Sequence, residues 1–139
     1  MSDQPLALLL LRASRWFDRR LLDRLEELGW PRLTSAQSLV FPHLGGDGTS
    51  PAALARALGA TRQSTQELVA GLVRLGLTEV VDDPATKRGR LVVLTSRGRE
   101  LASAARGVLG DLEAELGATR GAQLRDLLES VWDDGAAGR

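Results

Sequence analysis

Residues 61–98 read TRQSTQELVAGLVRLGLTEVVDDPATKRGRLVVLTSRG and decide the fold. Thr61 is a typical helix N-cap, and the apolar residues after it recur at the spacing of one helix face. Gly76 is well placed to cap the C-terminal end of that helix. Residues 78–81 and 91–94 have strand composition, and the Asp-Pro and Arg-Gly pairs between them are typical of turns. The stretch therefore predicts an amphipathic helix followed at once by a short β-hairpin.

Helix signals flank this stretch on both sides. Ser50 followed by proline combines a capping hydroxyl with the residue preferred at the first helical position, which predicts a short helix ending at Gly59. The other predicted helices span residues 6–28, residues 34 to about 44 with Thr34 as the cap, residues 95 to about 116, and a final stretch that begins at Thr119. Two short helices followed by a hairpin predict a mostly α fold with a small β-hairpin wing, a winged helix-turn-helix.

The composition argues against an enzyme. Cysteine and tyrosine are absent and a single histidine is present, which excludes thiol chemistry and leaves few groups for acid–base catalysis or metal binding. We therefore expect no catalytic residue, no metal and no cofactor. At 139 residues the chain is long enough for one domain with a real core. The run LALLLL is too short to span a bilayer and Asp3 stands where a signal peptide would be basic, so we expect a cytoplasmic protein without a membrane partner.

Basic charge is concentrated in the middle of the chain, although the formal net charge is zero. Residues 56–99 hold eight basic against four acidic residues, a local excess of +4, whereas residues 100–139 hold four against eight. Local potential decides the attraction of a polyanion more than the total charge does. The positive region coincides with the predicted helix and hairpin.

The exposed face of this helix carries side chains that can hydrogen-bond to DNA bases. Glutamine pairs with adenine and arginine with guanine or a phosphate, while arginines at a hairpin tip gain from the negative potential of a narrow minor groove. The candidate DNA-binding residues are Ser50, Thr61, Arg62, Gln63, Ser64, Gln66, Arg74, Lys87, Arg88 and Arg90. The alternative is that these polar side chains only solvate an exposed surface.

The same segments resemble the multiple-antibiotic-resistance regulator (MarR) family of bacterial repressors. The resemblance rests on LTSAQSLVFPHL from Leu33, on SPAALARALGATRQSTQELVAGLVRLGL from Ser50 and on DDPATKRGRLVVLTSRGREL from Asp82. Its most specific motif is Asp-Pro-x-x-x-Arg followed by Leu-Thr-x-x-Gly.

That resemblance implies a double-stranded DNA partner. The helix from Thr61 to Leu75 would be the recognition helix, and Arg88 would be the minor-groove residue. It also implies a homodimer with a single domain per chain, in which residues 33–98 form the winged helix-turn-helix and residues 1–30 and 99–139 form a helical dimerisation region.

The chain departs from the family's usual chemistry in three ways. Thr86 stands where an acid is common, Glu67 stands where a basic residue is common, and Ala70–Gly71 replaces a polar pair. A charge-poor recognition helix leaves a few arginine–phosphate contacts to supply much of the binding. We therefore predict modest DNA affinity with a steep salt dependence.

The terminal helices hold more large apolar residues than one small winged domain can bury. The candidate dimerisation residues are Leu8, Leu11, Leu124, Leu128, Val131 and Trp132. A homodimer would cover them and would present two DNA-reading units about one helical turn apart. The alternative is that they pack in an ordinary monomer core.

The resemblance further implies a site for a small apolar or aromatic effector between the terminal helices and the winged part. The residues placed there by that resemblance are Arg15, Trp16, Trp30 and His43, and for His43 the alternative is a capping or surface residue. We expect a repressor that binds a pseudo-palindromic operator and is released by a small molecule. The alternative function is a winged-helix protein-interaction module with weak or lost DNA binding.

Overall fold

The computed structural model describes residues 3–136, with side chains as far as residue 131. In chain order its elements are α1 (Leu6–Glu27), α2 (Ser35–Ser38), a 3-10 turn (Phe41–His43), α3 (Pro51–Leu58), α4 (Arg62–Arg74), β1 (Thr78–Asp82), β2 (Arg90–Leu94), α5 (Ser96–Glu115) and α6 (Ala118–Ala136). The prediction of a mostly helical fold with one small hairpin is confirmed. Within residues 3–136, no helix combines the length and the hydropathy that a bilayer span requires.

Side-chain caps set the starts of the three helices around the wing. The hydroxyls of Ser50, Thr61 and Thr95 each accept a hydrogen bond from the backbone N–H three residues later, at 3.2, 3.0 and 3.0 Å. Each bond satisfies one of the N–H groups that the first turn of a helix leaves without a partner. The three predicted starts are confirmed.

The prediction of a single helix over residues 34–44 is wrong. Thr34 caps α2 as expected, but α2 ends after one turn at Ser38 and a separate 3-10 turn follows. Pro42 accounts for the break, because it has no N–H to donate to the carbonyl of Ser38 and its ring would clash with that carbonyl in a continuous α-helix.

The junction between the last two helices differs from the prediction by one residue. Gly117 has φ +94°, in the left-handed region that favours glycine, and it ends α5. α6 begins at Ala118, one residue before the predicted start at Thr119.

The wing sheet is anchored to the chain segment that precedes α3. β1 and β2 pair antiparallel, with Asp82 opposite Arg90 nearest the tip. Thr49 and Val92 add two backbone hydrogen bonds, at 3.1 and 2.8 Å, which the sequence did not predict. Gly48 has φ +102°, and a Cβ there would lie 2.8 Å from the carbonyl oxygen of Val92. Glycine therefore permits the close approach that ties α3 to the wing.

One apolar core joins the terminal helices to the winged part. α1 packs along α5, α3 packs on α4, and α4 leads directly into β1. The most buried apolar residues include Leu22, Leu25, Val40, Leu44, Leu54, Leu72, Leu77, Val92, Leu101 and Leu112. Burying a leucine side chain stabilises a fold by roughly 2 kcal/mol. No linker separates the winged part from the terminal helices, so a movement of α1 or α5 must disturb buried leucines.

Two ion pairs join the terminal helices to α5. Arg24 on α1 pairs with Glu115, and Arg125 on α6 pairs with Glu113 at 2.7 Å. In each case the side-chain hydrogen bond to the carboxylate is the largest cause that raises the pKa of the arginine above its ordinary value. Because both pairs are exposed to solvent, they orient the helices more than they stabilise them.

Candidate nucleic-acid interface

α4 is held in the fold by one face and leaves the other face open. Thr65, Val69 and Leu72 are buried, and Thr65 Oγ1 donates a hydrogen bond to the carbonyl of Thr61 at 2.8 Å. The exposed side chains are Arg62, Gln63, Gln66, Glu67 and Arg74. Within residues 3–131 none of these five has a hydrogen bond or an ion pair. Val73, an apolar residue of the same helix, is 42% exposed.

The three hydroxyl side chains predicted to contact DNA form hydrogen bonds within the chain. Ser50 and Thr61 cap α3 and α4. Ser64 Oγ donates to the carbonyl of Thr61 at 3.2 Å and accepts from Thr61 Oγ1 at 2.9 Å. These residues lie at the N-terminal ends of the two helices, where the helix dipole is positive. Their first role is therefore to set the direction in which α4 points.

A local hydrogen-bond network shapes the wing tip. The N–H of Asp83 donates to the carbonyl of Gly89 at 2.8 Å, and the N–H of Gly89 donates to Thr86 Oγ1 at 2.8 Å. Asp83 Oδ1 also accepts from the N–H of Ala85 at 2.9 Å. A Cβ at Gly89 would lie 2.1 Å from Thr86 Oγ1, so glycine is needed for this closure. Thr86 therefore closes the turn.

The tip presents cations to solvent. Lys87 and Arg88 are exposed, and neither has an ion pair among the residues that the structure describes. Arg90 faces Asp82 across the hairpin at 3.8 Å, and both side chains are largely exposed. Lys87 and Arg88 are therefore free to meet an anionic partner, and Arg90 is only loosely held.

A single junction joins α4, the wing and α5. The N–H of Thr95 donates to the carbonyl of Leu77 at 3.1 Å, and Thr95 Oγ1 donates to the carbonyl of Gly76 at 2.6 Å. A Cβ at Gly98 would lie 2.0 Å from the carbonyl oxygen of Leu77, so the first turn of α5 lies directly on the backbone that leaves α4. In the Leu-Thr-x-x-Gly motif, the threonine thus supplies the hydrogen bond to Gly76, and the glycine leaves room for the contact with Leu77. It holds α4 and the hairpin in one relative orientation.

Gly71 is buried where α2 crosses α4. A Cβ at Gly71 would lie 2.9 Å from Nε2 of Gln37. Gln37 is held in place because its Oε1 accepts from the N–H of Thr34 at 2.9 Å. Sequence reasoning treated Gly71 as a replaced polar residue and missed this packing role. The available signal was a glycine in the middle of a helix.

A mostly apolar cavity of about 500 Å³ lies between α1, the segment around α2, and α5. Its lining includes Leu21, Leu25, Leu33, Phe41, Leu101 and Leu109. Asp18 and Arg106 are its charged lining residues. Asp18 accepts a hydrogen bond from Ser35 Oγ at 2.5 Å, whereas Arg106 has no ion pair within residues 3–131. The cavity therefore touches both the terminal helices and the winged part.

The four residues predicted to bind an effector do not meet in this cavity. Arg15 and Trp16 line a separate groove on the terminal helices. The Trp30 ring lies 5.5 Å from the guanidinium of Arg97, and His43 is exposed at the end of the 3-10 turn. Their role in effector binding stays a prediction, and the structure offers other residues for it.

The residues predicted for dimerisation form exposed apolar surface. Their exposed fractions range from 38% to 57% for Leu8, Leu11, Leu124, Leu128 and Val131. The side chain of Trp132 lies outside the described part of the chain. Exposed apolar surface of this extent is typical of an interface.

Comparison with known proteins shows that the chain is similar to winged-helix regulators. Residues 33–89 match the family model described as "MarR family". The structure is similar to the apo form of MarR from E. coli, with 29% identity, a TM-score of 0.75, and coverage of 94% of this chain and 98% of that chain. It is also similar to CouR from Rhodococcus jostii RHA1 bound to p-coumaroyl-CoA, with 23% identity, a TM-score of 0.71, and coverage of 94% and 95%.

A third similar structure is a variant of S. aureus MepR bound to an oligodeoxyribonucleotide. It is 21% identical, has a TM-score of 0.62, and the match covers 95% of this chain and 99% of that chain. No curated protein sequence matches the chain.

Proposed function

We propose that this chain is a cytoplasmic repressor of the MarR family that binds a pseudo-palindromic DNA operator as a homodimer. One observation carries the proposal. The open face of α4 and the exposed cations of the wing are held in one relative orientation by the hydrogen bond that Thr95 Oγ1 donates to the carbonyl of Gly76. Free polar side chains on a helix beside free cations on a hairpin match the chemistry of a major and an adjacent minor groove.

In this proposal α4 enters the major groove with its N-terminal turn leading. Arg62, Gln63 and Gln66 are exposed on that half of the helix and would meet base edges. Arg74, at the other end, would meet a phosphate. The caps at Thr61 and Ser50 would set the angle at which α4 approaches DNA. The positive ends of the dipoles of α3 and α4 would then face the DNA backbone.

The wing would contact the neighbouring minor groove. Within residues 3–131 no carboxylate pairs with Arg88, so its charge would be available to the negative potential of a narrow groove. Lys87 and Arg90 would contact the flanking phosphates. Because few cations are involved, the affinity should be modest. Because their contacts with phosphates would supply much of that affinity, it should fall steeply with salt.

A homodimer would supply the second half-site and cover the exposed leucines of α1 and α6. Support for DNA binding, though not for the dimer, comes from the MepR variant, a protein of the same fold bound to an oligodeoxyribonucleotide. The dimer would place two copies of α4 about one turn of DNA apart.

A small-molecule effector would bind in the cavity between α1 and α5. An apolar lining with the unpaired Arg106 suits a small apolar or aromatic anion. Such a molecule would release the operator only if it bound better to a dimer whose two winged parts are wrongly spaced for DNA. CouR, a relative of the same fold, is bound to p-coumaroyl-CoA.

A gel-shift titration of the full chain with a pool of random-sequence duplexes, repeated over a range of salt concentrations, tests the function. We expect a shift that weakens steeply as salt rises. Absence of a shift at every salt concentration would reject DNA binding. It would favour the alternative function, a protein-interaction module. The observation that supports this alternative is the acidic Glu67 on the open face of α4.

A further inference from the structure

Glu67 is the one acidic side chain on α4, a helix described over its whole length. It is exposed, and within residues 3–131 it makes no hydrogen bond or ion pair. It lies on the open face between Gln63, one turn earlier, and Ala70, about one turn later. Its carboxylate therefore faces whatever α4 contacts.

No cation on α4 neutralises this carboxylate. The residues three and four positions away are Gln63, Ser64, Ala70 and Gly71, and all are uncharged. Arg74 is two turns further on, about 10 Å along the helix axis. At that separation, salt at physiological strength screens most of the attraction between exposed charges.

The helix α2, which crosses α4, supplies no cation either. Where α2 crosses α4, the group nearest to Gly71 is the amide of Gln37, which is neutral. Gln37 is fixed by its hydrogen bond from the N–H of Thr34, so it does not swing aside to make room for another residue. Glu67 would therefore enter a DNA groove without a compensating cation from α2 or from the neighbouring turns of α4.

An uncompensated carboxylate in a major groove tolerates few bases. The major-groove edges of guanine and thymine present acceptors, which repel it, whereas the amino groups of cytosine and adenine can donate to it. The adenine amino group is flanked by the acceptors N7 of its own ring and O4 of the paired thymine. The cytosine amino group has an acceptor on one side only, O6 of the paired guanine. Cytosine is therefore the base that a carboxylate meets with least repulsion.

We propose that Glu67 selects cytosine at one position of each operator half-site by accepting a hydrogen bond from the cytosine 4-amino group. This inference rests on the proposed function. The carboxylate acts as a filter, because guanine and thymine face it with acceptors alone and the adenine amino group is flanked by an acceptor on each side.

The test is selection of bound duplexes from a random pool by three full-length proteins. These are the wild type, Glu67→Gln and the control Glu79→Gln. Glu79 is an exposed acid on β1 of the same winged part, so its variant loses the same charge away from α4. Both substitutions are at exposed positions, and circular dichroism checks that each variant is folded.

We expect the wild type and Glu79→Gln to enrich cytosine at the same position. Glu67→Gln should exchange cytosine for adenine there, since glutamine pairs with adenine, and the preference should change by about tenfold per half-site. If Glu67→Gln binds every sequence more tightly with an unchanged preference, Glu67 is a general repulsive charge and the inference is wrong. If the wild type binds no duplex, the proposed function fails and the inference fails with it. If the wild type binds duplexes but the base preference does not depend on Glu67, only the inference fails.

Discussion

The carboxylate of Asp18 on α1 accepts a hydrogen bond from the hydroxyl of Ser35 in the first turn of α2, at 2.5 Å. Asp18 also lines the cavity between α1 and α5. This contact joins a terminal helix to the winged part at the place where a bound molecule would lie. In the proposed function, this contact would report occupancy of the cavity to the winged part.

Loss of this contact should loosen that connection. Asp18→Ala removes a half-buried carboxylate that accepts from a hydroxyl, and we expect the free energy of unfolding to fall by about 1 kcal/mol. Urea unfolding at a fixed protein concentration measures it. Glu100→Ala is the control and should change stability little, because Glu100 is an exposed acid on α5 whose side chain makes no hydrogen bond within residues 3–131. Equal losses for the two variants would mean that the Asp18 contact contributes nothing specific.

Arg88→Ala should weaken DNA binding and leave the dimer intact. Removing the free guanidinium at the wing tip should lower the affinity for duplex DNA by about tenfold or more, because the minor-groove contact disappears. Fluorescence anisotropy with a labelled duplex gives the affinity, and sedimentation velocity gives the assembly state. Arg120→Ala removes an exposed charge on α6 as the control. An Arg88→Ala protein that binds DNA as the wild type does would place the minor-groove residue elsewhere.

Gly98→Ala should damage the junction of α4, the wing and α5. The added Cβ would lie 2.0 Å from the carbonyl oxygen of Leu77, so the backbone must shift, at a cost of about 2 kcal/mol or more. Gly107→Ala on the same helix meets nothing within 4 Å and should stabilise by up to about 1 kcal/mol. Thermal and urea unfolding compare the two. A neutral Gly98→Ala would show that the contact is looser than described.

The exposed leucines of α1 should hold the dimer. Leu8→Glu places a charge in the predicted interface and should shift the sedimenting mass from twice 14.9 kDa to one chain. Leu28→Glu, at another exposed leucine just beyond α1, is the control and should leave the mass unchanged. A wild-type mass of 14.9 kDa at low micromolar concentration would contradict the dimer itself.

Filling the cavity should block effector binding. Benzoate, as a small aromatic anion, should raise the melting temperature of the wild type when it saturates the site. Ala105→Phe, with the larger side chain directed into the cavity lining, should abolish that rise. Ala114→Phe, at an exposed position of α5, should keep it. If Ala105→Phe responds as the wild type does, benzoate binds elsewhere.

Local signals explain which elements could be predicted. The caps at Ser50, Thr61 and Thr95, the apolar periodicity of α4 and the turn residues of the hairpin act within a few positions, so they can be read from neighbouring letters. The break at Pro42 was equally local. It was missed because the apolar pattern around it continues with helical spacing.

The amino-acid sequence by itself determined the order of the elements and the side chains that the open face of α4 and the wing present. Only the tertiary structure decided how Gly98 meets Leu77, how Gly71 admits Gln37, and which residues enclose the cavity. Those contacts join segments far apart in the chain, and each depends on distances of a few tenths of an ångström between packed atoms. Helix propensity and periodicity carry no information about such distances, because they describe one segment at a time.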